Sequence, residues 1–273
     1  QFPGDPDGSA ATWPVNYDGR YRGPVRLRQA LAGSLNGAAV SLTAEVGLEN
    51  AFRLAGRLGI DLGDDPWRYG LSMALGGAEV PLVGLTSALA TFGARGRHHP
   101  PTAILEVRDL YDDEVLYRHE PAGPQAVSAE TAWLLSSILS DDSARLGAFP
   151  AGSPLENDFH AAVKTGTTND FRDNLTVGWT GEAAVGVWVG NKDGRPMRDV
   201  VGITGAAPIW NEILRDLATR GLVTGAALPE PPGIVRAEVC DDVVGRAAGC
   251  RTRTEVFAPG SPTSDEELAF GWF

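Results

Sequence analysis

The chain has 273 residues, 43% hydrophobic and 21% charged, with a formal net charge of −12. This suits a globular protein with a sizeable core, in one large domain or two small ones, and the acid excess argues against a general nucleic-acid binder, which needs a basic face. No apolar run approaches the roughly 18 residues of a membrane span, and the four histidines (His98, His99, His119, His160) lack metal-ligand spacing, so no metal or other cofactor is expected.

Residues 1–24 are rich in Gly, Pro, Asp and Tyr and read as irregular or extended. Residues 25–32 turn apolar at helical spacing and end in Gly33-Ser34-Leu35-Asn36. A second helical pattern covers 38–47 and a third 48–58, the latter with Leu48, Phe52, Ala55 and Leu58 on one face and Gly59 as its stop. Gly76-Gly77 breaks the chain before a helix that carries Val80, Leu82, Leu85, Leu89 and Phe92. Residues 102–107 and 114–117 read as a hairpin, with Asp112-Asp113 near the turn. Ser128 then caps a helix containing Trp133, Leu134, Leu135, Ile138 and Leu139, and a proline-bearing loop follows over 147–158.

Strands are predicted at 160–164, 174–180 and 183–190, the last two joined by a tight turn at Gly181-Glu182. Residues 206–217 read as a helix that tolerates Pro208 in its first turn, with Ile209, Ile213 and Leu217 on one face. A linker at 229–232 leads to a loop-like tail over 234–273, which carries both cysteines, Cys240 and Cys250, and an apolar end. The two cysteines are compatible with a disulfide, which would stabilise the tail by roughly 2–3 kcal/mol on the loop-entropy model, and equally with two free thiols.

Only two residues are lysine, Lys164 and Lys192; every other basic residue is arginine. Lys164 heads Lys-Thr-Gly-Thr at the end of a predicted strand. Beside a reacting acyl group its ammonium would supply positive potential for oxyanion and carboxylate. The hydroxyls of Thr165 and Thr167 would bind a carboxylate, and the Thr167 N–H would serve as an oxyanion donor. Gly166 would let a substrate backbone lie along the strand. Upstream, Ser34 and Asn36 put a hydroxyl and a carboxamide in one turn, fit to relay a proton to a leaving amine and to hold an amide. Both strings also have bland readings, as a strand ending in a polar turn and as ordinary cap residues. The usual companion of Lys-Thr-Gly, Ser-x-x-Lys, supplies the nucleophile. It is absent: Ala161 lies three before Lys164, and Val189 three before Lys192.

Longer strings carry a resemblance. Val163 to Asp173 reads Val-Lys-Thr-Gly-Thr-Thr-Asn-Asp-Phe-Arg-Asp, followed by Val-Gly-Trp-Thr and Val-Gly-Val-Trp-Val-Gly-Asn. With Gly202-Ile-Thr-Gly-Ala-Ala-Pro-Ile, Asn16-Tyr-Asp, Ser34-Leu-Asn and the Cys240 to Cys250 tail, it resembles the transpeptidase domain of class A penicillin-binding proteins, most closely the 1C type. The resemblance implies an α+β, three-layer fold: an antiparallel sheet flanked by helices, with a helical lobe carrying Ser34 and Asn36, incomplete at the N-terminus. Residues 1–227 would be the C-terminal part of the transpeptidase domain, and 228–273 a linker and tail.

The implied activity is D,D-transpeptidation, in which a D-Ala-D-Ala stem peptide acylates a serine and an amine of a second stem takes the acyl group. Peptidoglycan stem peptides and β-lactams are the implied partners, the location is periplasmic, and the membrane is reached only through an upstream anchor. By match to the motifs, Ser34, Asn36 and Lys164 would be catalytic, and Thr165, Gly166 and Thr167 substrate-binding. The family's Ser-x-x-Lys, its glycosyltransferase domain and its anchor lie ahead of the region that matches Gln1 onward. A truncated sequence, inactive by itself, is therefore expected. The alternatives are a non-catalytic binding module for stem peptides or β-lactams, and a β-lactamase-type hydrolase.

Overall fold

The computed structural model describes residues 14–168, 171–198, 200–240, 252–261 and 263. Its elements are α1 (Leu27–Ala32), α2 (Asn36–Val46), α3 (Leu48–Arg57), two 3₁₀ turns (Pro66–Arg68 and Gly70–Leu75), α4 (Leu82–Gly93), β1 (Glu106–Arg108), β2 (Val115–Arg118), α5 (Ala129–Leu139), α6 (Asp142–Arg145), β3 (Ala162–Thr167), β4 (Asp173–Trp179), β5 (Ala184–Gly190), α7 (Ala206–Thr219), β6 (Val235–Cys240) and β7 (Thr252–Phe257).

Side-chain alternation along the central strands sets the layers. The strands β3, β4 and β5 form one antiparallel sheet in that order. On one face Val163, Val185 and Val187 meet Trp210 and Leu214 of α7. On the other, Ala162 and Trp179 meet Phe92 of α4 and Ala132 and Leu139 of α5. Alternate residues of the sheet thus belong to different cores, which is why β5 reads as a nearly continuous apolar run. Small residues let the helices close in. A Cβ on Gly186 would stand 2.0 Å from Thr86 Oγ1 of α4, and one on Gly178 would stand 2.4 Å from the Trp210 ring. The Trp179 indole N–H donates to Ser136 Oγ of α5 at 2.9 Å, so that buried donor is satisfied.

The predicted helices are present, and α2, α3 and the 3₁₀ turns pack on one another as a helical lobe. Two expectations are corrected. Strand β3 does not stop at Lys164. It runs through Thr167, because Thr165, Gly166 and Thr167 pair with Thr176, Leu175 and Asn174 of β4. Lys-Thr-Gly-Thr is therefore strand and not turn. The tail is likewise not all loop: β6 and β7 pair as an antiparallel hairpin, with Ala237 opposite Glu255. Charged residues interleaved along both strands conceal that pairing in the sequence. Cys240, at the end of β6, is disulfide-bonded. The other cysteine, Cys250, lies outside the described residues, as do the apolar end at 268–273 and residues 1–13.

Candidate active site

Helix α1 ends in a left-handed turn. The Ser34 N–H donates to Leu31 O at 3.2 Å and the Leu35 N–H to Ala30 O at 2.9 Å, which is the paired closure of a Schellman motif. Its left-handed position is usually glycine. Here it is Ser34, at φ 53°, a conformation that costs a residue with a Cβ roughly 1–2 kcal/mol. The turn delivers Asn36 to the first position of α2, where its Nδ2 donates to Val15 O at 2.8 Å. Asn16 completes the tie, its Oδ1 accepting from the Gly37 N–H at 3.2 Å. The segment before α1 thus laces over the turn.

Lys164 reaches the same turn from β3. Its Nζ donates to Ser34 Oγ at 2.7 Å and to Thr165 O at 2.7 Å. Among the described residues no carboxylate forms an ion pair with it. Burial pushes its pKa down from the ordinary 10.5 to about 8, because a desolvated ammonium is less stable than a desolvated amine. Lys164 and Ser34 are therefore brought together by the fold across 130 residues of sequence.

The other residues of the motif divide by strand alternation. Thr165 and Thr167 leave β3 on the face opposite Lys164. Thr167 Oγ1 accepts from the Gly202 N–H at 3.0 Å, which leaves its own O–H free to donate. A Cβ on Gly202 would stand 3.1 Å from Thr165 Cβ, so that loop packs on Thr165, while Thr167 stays exposed. A Cβ on Gly166 would meet only Leu175 Cβ, at 3.7 Å. Nothing within the described chain requires glycine there.

The ladder fixes which backbone groups remain unpaired. The Thr168 N–H donates to Asp173 O at 3.0 Å, so Gly166 and Lys164, in the same phase, also bond inward to β4. Thr165 and Thr167 then point their N–H and C=O groups off the open edge of the sheet. The bond from Lys164 Nζ to Thr165 O agrees with that direction.

The supports of this strand come from partners outside it in sequence. The Asp173 carboxylate accepts from the Trp188 indole at 2.9 Å and from Thr168 Oγ1 at 3.1 Å, holding the β3–β4 connection. Asn174, fully buried, spans from Val200 O to the Ala206 N–H and so fixes the start of α7. His160 sits against Ser140 Oγ at 3.0 Å, and burial lowers its pKa; its place before β3 is a packing position. No spacing signal marks these pairings in the sequence.

The sequence matches the family model described as penicillin binding protein transpeptidase domain over residues 3–197. Penicillin-binding protein 1B of Vibrio cholerae is 34% identical over 231 residues, covering 84% of this chain and 28% of that protein. Penicillin-binding protein 1A of Neisseria lactamica is 32% identical over 238 residues, with 84% and 29% covered. Penicillin-binding protein 1C of Escherichia coli is 29% identical over 236 residues, with 83% and 27% covered. The 1B and 1A relatives match as well as the 1C one or better, so the likeness does not single out the 1C type. The chain spans under a third of the length of these relatives. In fold it resembles penicillin-binding protein 1A from Haemophilus influenzae, at TM-score 0.74 and 23% identity over 94% of this chain and 43% of that one. It also resembles PonA1 from Mycobacterium tuberculosis, at TM-score 0.64 and 23% identity over 80% of this chain and 65% of that one.

Proposed function

The chain belongs to the penicillin-binding protein transpeptidase family, among the class A proteins, and from that membership we propose that it is the substrate-gripping and proton-relaying part of a peptidoglycan D,D-transpeptidase. The observation that carries the reading is the bond from Lys164 Nζ to Ser34 Oγ at 2.7 Å, beside the edge of β3 whose Thr165 and Thr167 backbone groups lie outside the ladder with β4. An extended stem peptide adds to that edge at Thr165 and Thr167, over the space that Gly166 leaves open. The Thr167 N–H donates to the developing oxyanion. Lys164 supplies positive potential for the terminal carboxylate, the Thr167 hydroxyl donates its free proton to it, and the Asn36 carboxamide holds a substrate amide.

The acylated serine comes from a Ser-x-x-Lys segment outside these 273 residues, since neither lysine here has a serine three positions before it. That serine passes its proton to the lysine of its own segment and attacks the penultimate carbonyl. The C–N bond then breaks, and the leaving D-alanine amine takes a proton from Ser34 Oγ, which Lys164 Nζ restores. An amine of a second stem then takes the acyl group; its proton returns through Ser34 to Lys164, and the freed serine recovers its own from the lysine of its segment. β-Lactams enter by the same route; PonA1 has been solved in complex with penicillin V. The site of action is extracytoplasmic, with any membrane anchor upstream of this chain; no described helix is long and apolar enough to cross a membrane. The intact Ser34–Lys164 pair speaks against a decayed binding module, and the class A relatives against a β-lactamase-type hydrolase.

Labelled penicillin tests the reading. The 273-residue chain alone should give no stable covalent adduct by intact mass. A longer polypeptide that adds a Ser-x-x-Lys segment ahead of Gln1 should label, and should lose most labelling on Lys164→Met. Label mapped to a serine within the 273 residues, or undiminished labelling of the Lys164→Met form, would overturn it.

A further inference from the structure

Arg28 lies within α1, under two turns before Ser34, yet is only 7% exposed. A buried guanidinium needs its donors met, and here they are. Its Nε donates to Glu255 Oε1 at 2.9 Å and Oε2 at 3.1 Å, and its Nη2 to Oε1 at 2.7 Å. Its Nη1 donates to Ser137 O at 3.1 Å and to Asp141 Oδ2 at 3.3 Å. Glu255 is itself buried on β7. Just before the helix, Arg26 donates through Nε to Cys240 O, the last residue of β6, at 2.9 Å. The hairpin therefore grips α1 at two places. It begins at Val235, beyond residue 197 where the family match ends.

The other buried residues of α1 are Ala30 and Ala32. Leu31 packs, half-buried, on the core shared by α4 and α5, and beyond it the buried side chains of α1 are two methyl groups, which give a six-residue helix little to fix its roll. The planar, bidentate Arg28–Glu255 fork does fix it. Ser34 hangs directly from that helix, through the bonds of its turn to Leu31 O and Ala30 O. A roll of α1 would carry Ser34 Oγ away from Lys164 Nζ. We infer that Arg28 and Glu255 are positioning residues, and that the β6–β7 hairpin is a latch that holds Ser34 in register with Lys164. The inference rests on the reading of Ser34 and Lys164 as the proton-relay pair.

The scarcity of lysine makes this measurable. Chain labelled with ¹³C at lysine Cε gives two signals, from Lys164 and from the exposed Lys192. Titrating the Lys164 signal reports how dry its ammonium is. Glu255→Gln should raise its midpoint by about half a pH unit or more, as water enters where Ser34 has drifted, with the Lys192 signal unmoved. Arg28→Lys, which keeps the charge but loses the bidentate fork, should give a shift in the same direction, and decides the matter should Glu255→Gln not fold. Ser34→Ala, the control for the pair itself, should move the Lys164 signal. If Ser34→Ala moves it while Glu255→Gln and Arg28→Lys only lower thermal stability, the latch is refuted and the relay reading stands. If Ser34→Ala leaves the signal in place, the relay pair itself fails.

Discussion

Two residues at the candidate site are held at an energetic cost. Lys164 carries its charge into a half-buried setting, and its pKa of about 8 against 10.5 corresponds to a destabilisation on the order of 3 kcal/mol at neutral pH. The folded pKa lies below the unfolded one, so the unfolded chain binds more protons between those values and stability rises with pH across that window. Lys164→Met should therefore stabilise the chain at pH 7 by up to about 3 kcal/mol, measured by urea unfolding, and the gain should fade as pH rises from 8 to 10.5. Ser34 carries backbone strain at φ 53°. Ser34→Gly should be more stable than Ser34→Ala by about 1 kcal/mol, since only glycine relieves a left-handed turn, although both lack the hydroxyl. Equal stabilities would show that the turn is not strained. Gly166 bears no such cost. Gly166→Ala should leave the unfolding midpoint unchanged, because its Cβ meets only Leu175 at van der Waals distance.

Among the elements, β4 is the one that must fit on both faces. Gly178 lies under the Trp210 ring of α7, while its neighbour Trp179 fills the opposite core beside Phe92, with ring centroids 5.6 Å apart. Gly178→Ala should cost about 1–3 kcal/mol by overpacking. Trp210→Phe in the same chain should recover part of that loss, because the added methyl meets the part of the indole that phenylalanine lacks. A double-mutant cycle read by denaturant unfolding gives the coupling, and strict additivity would count against the contact. The two strands flanking the Gly181-Glu182 turn were legible as a hairpin from their apolar runs and glycine punctuation. The end of β3 was not. Lys-Thr-Gly-Thr is polar, and only its pairing with β4 makes it strand.

Across the whole molecule, four charges tie the last hairpin to the first helix. Arg28, Arg253, Asp141 and Glu255 form a cluster that is buried at Arg28 and Glu255 and half-buried at Arg253 and Asp141. Burial raises the Glu255 and Asp141 pKa values, but hydrogen bonds and the neighbouring arginines outweigh it, so both carboxyls are held below their usual range. A depressed carboxylate stabilises the fold above its unfolded pKa and loses that contribution as pH falls through its folded pKa. Acid should accordingly loosen the β6–β7 hairpin before the central sheet, which hydrogen exchange resolved by residue would show. Glu255→Gln should cost about 3 kcal/mol, because it leaves Arg28 buried without its counter-charge.

The sequence by itself implied the layered α+β architecture and named Ser34, Asn36 and Lys164 as one site through the family resemblance that its strings carry, because such strings and the apolar periodicity of single elements are local signals that survive in a linear chain. It also showed that neither lysine has a serine three positions before it. Only the tertiary structure decided that Lys164 Nζ meets Ser34 Oγ, that Thr165 and Thr167 turn toward the Gly202 loop, and that Glu255 reaches Arg28 across 227 residues. The physical reason is that buried polar groups choose partners by proximity after the chain has folded, and a charged residue in a sequence does not announce whether its partner will be water or another side chain.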